Sequence, residues 1–422
     1  MANFENSLSF AQIKDSKDLL KDFRKEFYIP QKNGKDTIYF CGNSLGLQAK
    51  NVRTEIEKEL DKWAKLGVEG HFEGQNAWLS YHRLLTKTSA ELVGAKPEEV
   101  VLMNNLTSNL HLLLISFYQP KGTKYKVLME GGAFPSDQYA VESQVRLRGF
   151  DPENAIVEIF PRPNEFVLRT EDILQKIEEI GENLALVFFG GVNYYTGQAF
   201  DMQAISKKTH QFGAKVGFDL AHAIGNISLD LHAWRVDFAV WCTYKYLNSG
   251  AGGVGGAFVN KKYAEQTDLQ RLAGWWGHKE EERFQMKKGF KPMYGAEGWQ
   301  LSNAAILSMA SHKASLELFE RAKMENLIAK SQELTAYLEF LIEDFNASQQ
   351  KINLKIITPK NPKQRGAQLS LLVENGKNLF HFLTENGMVV DWREPNVIRL
   401  APVPLYNSFE DIFRFYEVLK KF

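Results

Sequence analysis

Cysteine is nearly absent from this 422-residue chain, with Cys41 and Cys242 the only two. Both lie in apolar, strand-like runs, so neither a disulfide framework nor a cysteine zinc cluster is expected, and a reducing compartment suits the sequence. No run of about 18 apolar residues occurs, which argues against a membrane span. The amino-terminal stretch MANFENSLSFAQIKD has no basic start and no apolar core, so a secretory signal is not supported. Net charge is lacking too. The 51 basic residues balance 51 acidic ones, which removes any electrostatic reason to expect nucleic acid or an anionic membrane as partner. No HExxH, CxxC or Walker sequence is present, so metal and ATP chemistry have no motif. The expectation is a soluble, cytoplasmic protein.

What is present suits a two-domain α/β protein, since 422 residues exceed one simple core. Val52, Ile56, Leu60 and Trp63 repeat at helical spacing and predict a helix after Asn51. From about residue 100, strands and helices alternate. Apolar runs at 100–103, 126–129, 155–160, 184–189, 215–218, 238–242 and 256–260 read as strands, and 110–117, 137–147, 170–180 and 202–212 read as helices, with Thr107-Ser108 as cap candidates. The strands are continuously apolar rather than alternating, which implies helices on both faces of a mostly parallel sheet. A long helical stretch, 304–342, leads to strands at 369–373 and 397–400 and a last helix at 409–419. The chain therefore divides into an N-terminal segment (1–60), a large sheet domain (61–305) and a smaller C-terminal α+β domain (306–422).

In such sheets ligands gather at the carboxyl ends of strands. Asp219 ends an apolar strand, where burial is costly without a cation, and a protonated pyridine nitrogen is a fitting one. His222 follows three residues on. Lys245, flanked by Tyr244 and Tyr246 just past the next strand, sits where burial lowers an amine's pKa and prepares it for Schiff-base chemistry. The 26 residues between them leave room for a helix and a strand that return Lys245 to the same sheet edge. Leu106-Thr107-Ser108 marks a strand-to-helix turn suited to phosphate. Phe134-Pro-Ser136-Asp137 follows another strand and offers a ring to stack, a hydroxyl and a second carboxylate. Each feature alone has an ordinary reading as a helix cap, a turn or a solvated lysine. Together they point to pyridoxal 5'-phosphate. Two motifs compete. Gly250, Gly252 and Gly255 spell GxGxxG but run into a strand rather than a helix, and Gly42-Asn-Ser44-Leu-Gly46 spells the GxSxG of serine hydrolases only some forty residues into the chain.

The ordered set Gly42-Asn-Ser-Leu-Gly-Leu-Gln48, Phe134-Pro-Ser-Asp137, Tyr195-Thr-Gly-Gln198, Asp219-Leu-Ala-His222, Tyr244-Lys-Tyr-Leu-Asn248, Gly274-Trp-Trp-Gly-His278 and Arg399-Leu-Ala-Pro-Val-Pro-Leu-Tyr-Asn-Ser-Phe409 resembles the kynureninase family. The resemblance implies a fold-type-I pyridoxal-phosphate enzyme, homodimeric, with active sites at the subunit interface. It also implies hydrolysis of a carbon–carbon bond in L-kynurenine or 3-hydroxy-L-kynurenine. The products would be anthranilate or 3-hydroxyanthranilate and L-alanine, in tryptophan catabolism and the supply of NAD precursors. By the same resemblance Lys245 carries the cofactor, Asp219 and Asp137 serve its ring nitrogen and Phe134 stacks on it. Leu106, Thr107, Ser136, His222 and Tyr244 surround it. Tyr244, whose hydroxyl adjoins Lys245 in the sequence, is the candidate for proton delivery. Trp275 and Asn303 reach the phosphate from the partner subunit. Arg399 grips the substrate carboxylate, and Ser44, His71 and Asn303 lie near its aromatic part, the last two in a pattern that favours the 3-hydroxy substrate. Gly190 departs from the family's small hydroxyl residue, removing one cofactor contact, and Trp276 stands where Phe is common. The alternatives are an aminotransferase of the same superfamily and a serine hydrolase using Ser44. A cysteine desulfurase would need a cysteine beyond Cys242, and a regulatory protein would need a further binding module.

Overall fold

Seven apolar runs assemble into one sheet: β1 (Val100–Leu102), β2 (Lys126–Glu130), β3 (Ile156–Ile159), β4 (Leu184–Gly190), β5 (Lys215–Asp219), β6 (Phe238–Cys242) and β7 (Gly255–Val259). The computed structural model describes residues 4–348 and 352–422. The strand order is β1-β7-β6-β5-β4-β2-β3, and β7 alone runs against the others. Side chains alternate between two separate apolar cores: Leu128, Val187, Val216 and Ala239 join one, while Val127, Phe188, Phe238 and Val240 join the other. The period of two thus persists in strands whose sequence reads as uniformly apolar, because each face has its own layer of helices. The fold is the expected α/β class, a large mostly parallel seven-stranded sheet with a smaller C-terminal α+β unit.

Seven helices matter for the site and its surroundings: α1 (Leu8–Lys17), α2 (Val52–Leu66), α3 (Leu106–Phe117), α4 (Pro135–Leu147), α5 (Ile306–Ala322), α6 (Met324–Ser348) and α7 (Phe409–Leu419). A four-stranded antiparallel sheet lies in the C-terminal part, ordered β8 (Lys355–Ile356), β9 (Leu369–Leu372), β11 (Val397–Leu400), β10 (Asp391–Arg393). Its core takes Ala11 from α1 and Ile38 and Phe40 from the N-terminal segment, and Ile38–Tyr39 pairs in parallel with Met388–Val389. Helix α5 contributes Met309, Leu316, Leu318 and Phe319 to the core of the large sheet. Among the described residues no helix is long and apolar enough to cross a membrane.

Four local expectations differ from what the chain adopts. The helix expected at 110–117 begins at Leu106. Asn105 is its cap, its extended backbone letting Oδ1 accept the Ser108 N–H at 3.0 Å, so Thr107 and Ser108 lie in the first turn. The single helix expected over 304–342 is two, broken at Lys323, whose φ of 66° no right-handed helix accommodates. No helix separates Asp219 from Lys245; a series of turns makes the return. In α2 the apolar stripe faces outward at Leu60 and Trp63. Glu59 turns inward instead, satisfied by Trp78 Nε1 at 2.7 Å and Lys62 Nζ at 2.9 Å.

Candidate active site

Strands β2, β4 and β5 end side by side, and the segment after β6 folds over the same edge. The cavity there is lined by Leu106, Thr107, Phe134, Ser136, Asp137, Asp219, His222, Tyr244 and Lys245, nine residues singled out from the sequence. Helices α3 and α4 both open onto it with their N-termini. Thr107 Oγ1 and Ser136 Oγ, one from each first turn, lie 2.9 Å apart. Two helix starts and two hydroxyls make a natural cradle for a phosphate.

Asp219 and Asp137 line the same cavity and are both buried. Asp219 Oδ1 accepts the Ala221 N–H at 2.6 Å, while Asp137 Oδ1 has no partner among the described residues. Burial holds both carboxyls above their ordinary range. Asp137 is raised further because the Asp219 charge and a hydrogen bond between the two favour its acid form, while Lys245 draws Asp219 back down. Two buried carboxyls held high in this way are disfavoured from carrying two negative charges at once, and the charge that remains is the complement of a protonated ring nitrogen. Lys245 Nζ lies 3.0 Å from His222 Nε2 and 5.7 Å from the centre of the Phe134 ring. Burial and then the cations Lys245, Arg399 and Arg393 hold His222 well below its usual pKa, which favours a neutral imidazole whose Nε2 faces the Lys245 amine. Tyr244 has its hydroxyl held protonated, mainly by burial and then by the neighbouring Cys242. A buried carboxyl oxygen without a partner, a phosphate cradle, a ring for stacking and an amine in one cavity fit pyridoxal phosphate.

The sequence reading missed Glu130, the last residue of β2, which lines the same cavity. Oε1 accepts the Gly190 N–H at 3.1 Å and Oε2 accepts Asn193 Nδ2 at 2.7 Å. A Cβ on Gly190 would lie 3.0 Å from Glu130 Oε1, so this carboxyl packs directly against the glycine. Burial first, and then the Asp219 charge, push its pKa up to about 7.

Ser44 and Arg399 form a neighbouring cluster rather than part of the cavity wall. Ser44 Oγ donates to Asp391 Oδ2 at 2.9 Å, and Arg399 bonds the same oxygen and the Tyr194 carbonyl. Ser44 faces a carboxylate and Arg393, not an imidazole, and no helix follows it directly. The GxSxG string is thus not a nucleophile elbow. Its second glycine permits a close approach of two segments instead. Gly46 N–H donates to the Tyr244 carbonyl at 2.8 Å, and a Cβ there would lie 2.3 Å from the Lys245 carbonyl oxygen. His71, Trp275 and Asn303 do not reach the cavity within one chain. His71 packs edge-on against Trp78 at 5.2 Å, Trp275 packs edge-on against Phe284 at 5.5 Å and is 43% exposed, and Asn303 is exposed. Trp276 is buried beneath Arg283, whose guanidinium lies 4.4 Å over its ring, so this departure from Phe alters packing under a loop rather than the cavity.

The chain's likeness to known proteins is extensive. The chain is 53% identical to a protein named kynureninase from Flavobacterium psychrophilum over 419 residues, covering 99% of this chain and 98% of that one. The chain belongs to the kynureninase family. It is also 48% identical to a kynureninase from Nematostella vectensis, with 98% of this chain and 93% of that one covered. The family's C-terminal domain model matches residues 327–419, from α6 to the end of α7. Among solved structures, a cysteine desulfurase from Thermococcus onnurineus superposes with a TM-score of 0.76 at 18% identity, covering 95% of this chain and 97% of that one. The cystine C–S lyase C-DES, as a K223A mutant with glycine linked to its pyridoxal-phosphate cofactor, gives 0.73 at 16%, covering 90% and 96%. At these identities the kynureninase family shares their fold, while its residues are its own.

Proposed function

We propose that this protein hydrolyses L-kynurenine or 3-hydroxy-L-kynurenine to anthranilate or 3-hydroxyanthranilate and L-alanine, with pyridoxal phosphate held at Lys245. The reading is carried by one observation: Lys245 and the Asp219–Asp137 pair line one cavity in a chain that matches kynureninases along its whole length. The cofactor supplies an electron-accepting ring for the charge released at the substrate's carbon chain. The protein does the rest. The first turns of α3 and α4 would hold the phosphate through Leu106, Thr107 and Ser136, Phe134 would offer its face to the ring, and Asp219 would keep the ring nitrogen protonated. Lys245 moves the α-proton, and neutral His222 accepts a hydrogen bond from its amine. Water adds to the aryl carbonyl carbon, which leaves as the aryl acid when the Cβ–Cγ bond breaks, and Tyr244, kept protonated, supplies the proton taken up at Cβ, the carbon that stays with alanine. Arg399 takes the α-carboxylate, and Ser44 stands toward the aromatic end.

A homodimer completes the site in this reading, with Trp275 and Asn303 of the partner subunit added at the phosphate and His71 near the aromatic ring. The exposed aromatic surface around Trp275 and Phe284 supports it. Two free thiols, Cys41 and Cys242, agree with a cytoplasmic setting. We also propose a division at 1–60, 61–305 and 306–422, with α5 as the helix that joins the C-terminal unit to the large core.

Purified protein loaded with pyridoxal phosphate should convert either substrate to alanine and the aryl acid without any keto acid. Dependence on a keto acid would identify an aminotransferase instead. Lys245→Ala should lose the visible absorption of the bound cofactor and slow turnover by at least about 10²–10⁴-fold. Retention of both would reject the assignment.

A further inference from the structure

Arg399 is almost entirely buried and has two protein partners. Nη1 donates to the Tyr194 carbonyl at 2.7 Å, and Nη2 donates to Asp391 Oδ2 in an ion pair. Its Nε has no partner among the described residues. Asp391 stands opposite Arg399 in the register of β10 and β11, so both side chains leave the same face of that sheet. The same Oδ2 also accepts Ser44 Oγ at 2.9 Å and Arg393 Nη2 at 3.1 Å. Two guanidiniums thus share one carboxylate, which leaves a single positive charge in excess. Both cations act on His222, so their field reaches the cavity that holds Lys245.

We propose that Asp391 is a positioning residue for the substrate's α-carboxylate: it pins Arg399 by one nitrogen and cancels one of two positive charges, leaving a site matched to one carboxylate. The proposal rests on the reading of Arg399 as the carboxylate grip. A long arginine side chain loses much conformational freedom on binding, and that loss falls when the fork is already aimed. Here the aim comes from two units. Tyr194 follows β4 of the large sheet and Asp391 opens β10 of the C-terminal sheet, so the fork is fixed only where both meet. Without the Asp391 charge, Arg393 and Arg399 repel each other in a poorly solvated cluster and Arg399 has reason to turn away. An aspartate is also the only anion among these partners, so nothing else on the cluster can replace it.

L-alanine is the probe that isolates this effect, since it carries the amino-acid carboxylate and no aryl group. Calorimetric titration of the holoenzyme should show Asp391→Asn weakening L-alanine about tenfold or more and anthranilate less than about twofold. In turnover the same variant should raise KM more than it lowers kcat. Asp391→Glu, which keeps the charge one methylene away, should fall between wild type and the Asn variant, and it carries the test if the Asn variant does not fold. Unchanged L-alanine affinity, or an equal loss for L-alanine and anthranilate, would overturn the proposal. If the wild type binds L-alanine in an Asp391-dependent way yet leaves kynurenine intact, the reaction assignment fails and the positioning role stands.

Discussion

Glu130 shows how much one buried acid can matter without any cation beside it. Its two acceptor bonds come from neutral donors, and the nearby Asp219 charge opposes its ionisation. Its pKa rises from 4.5 to about 7, so between those values the folded chain binds more proton than the unfolded chain. The stability contributed by the neutral acid is therefore complete below pH 4.5 and is lost as pH rises through 7. The loss amounts to roughly 3 kcal/mol. Urea unfolding of the cofactor-free protein should show Glu130→Gln gaining on wild type by up to that amount between about pH 4.5 and 8; a pH-independent difference would contradict the assignment. Glu130 carries the very signal that exposed Asp219, an acid ending an apolar strand, one residue past the apolar run at 126–129. Asp391 carries no comparable signal, because its meaning comes wholly from the strand beside it.

At the scale of elements, the N-terminal segment behaves as a splint. Ile38–Tyr39 is sewn to Met388–Val389, Cys41 bridges to Ala401, and by Gly46 the backbone has already touched Tyr244. Gly46 makes this possible, since any side chain there would meet the Lys245 carbonyl and Asn248. Gly46→Ala should cost about 1–3 kcal/mol of stability by overpacking. It should also weaken cofactor retention, measured by dialysis and the visible band, because relief of the clash displaces the segment carrying Lys245. A variant as stable and as well loaded as wild type would show that the contact is idle. Helical periodicity located α2 correctly yet could not tell its faces apart: Glu59 is buried because Trp78 and Lys62 satisfy it, while Trp63 stays outside. The break at Lys323 was equally hidden, since nothing in the local pattern marks a residue with positive φ.

For the whole molecule, the outward aromatic residues invite a partner. Trp63 is 63% exposed, Phe72 55% and Phe284 50%, and Phe72 meets Phe284 at 6.2 Å. Large exposed aromatics in contact with one another are uncommon on surfaces that stay wet. If a second copy covers them and lends Asn303, two inactive variants should complement. Co-refolding Lys245→Ala with Asn303→Ala should restore about a quarter of wild-type sites for random pairing. Activity no higher than that of the separate variants would mean that each chain builds its site alone.

The strand–helix alternation, the carboxylate ending β5 and the lysine after β6 were legible in the linear order, because a buried strand end admits a charged residue only for a purpose. Their cluster at one edge was legible too, since parallel strands deliver their carboxyl ends to the same side. What only tertiary structure decided was the contact between parts distant along the chain: Glu130 against Gly190, Gly46 against Lys245, Ser44 and Asp391 around Arg399. Such contacts depend on strand order and on which face of an element turns inward. Both are set by the global burial of apolar surface rather than by any residue's immediate neighbours.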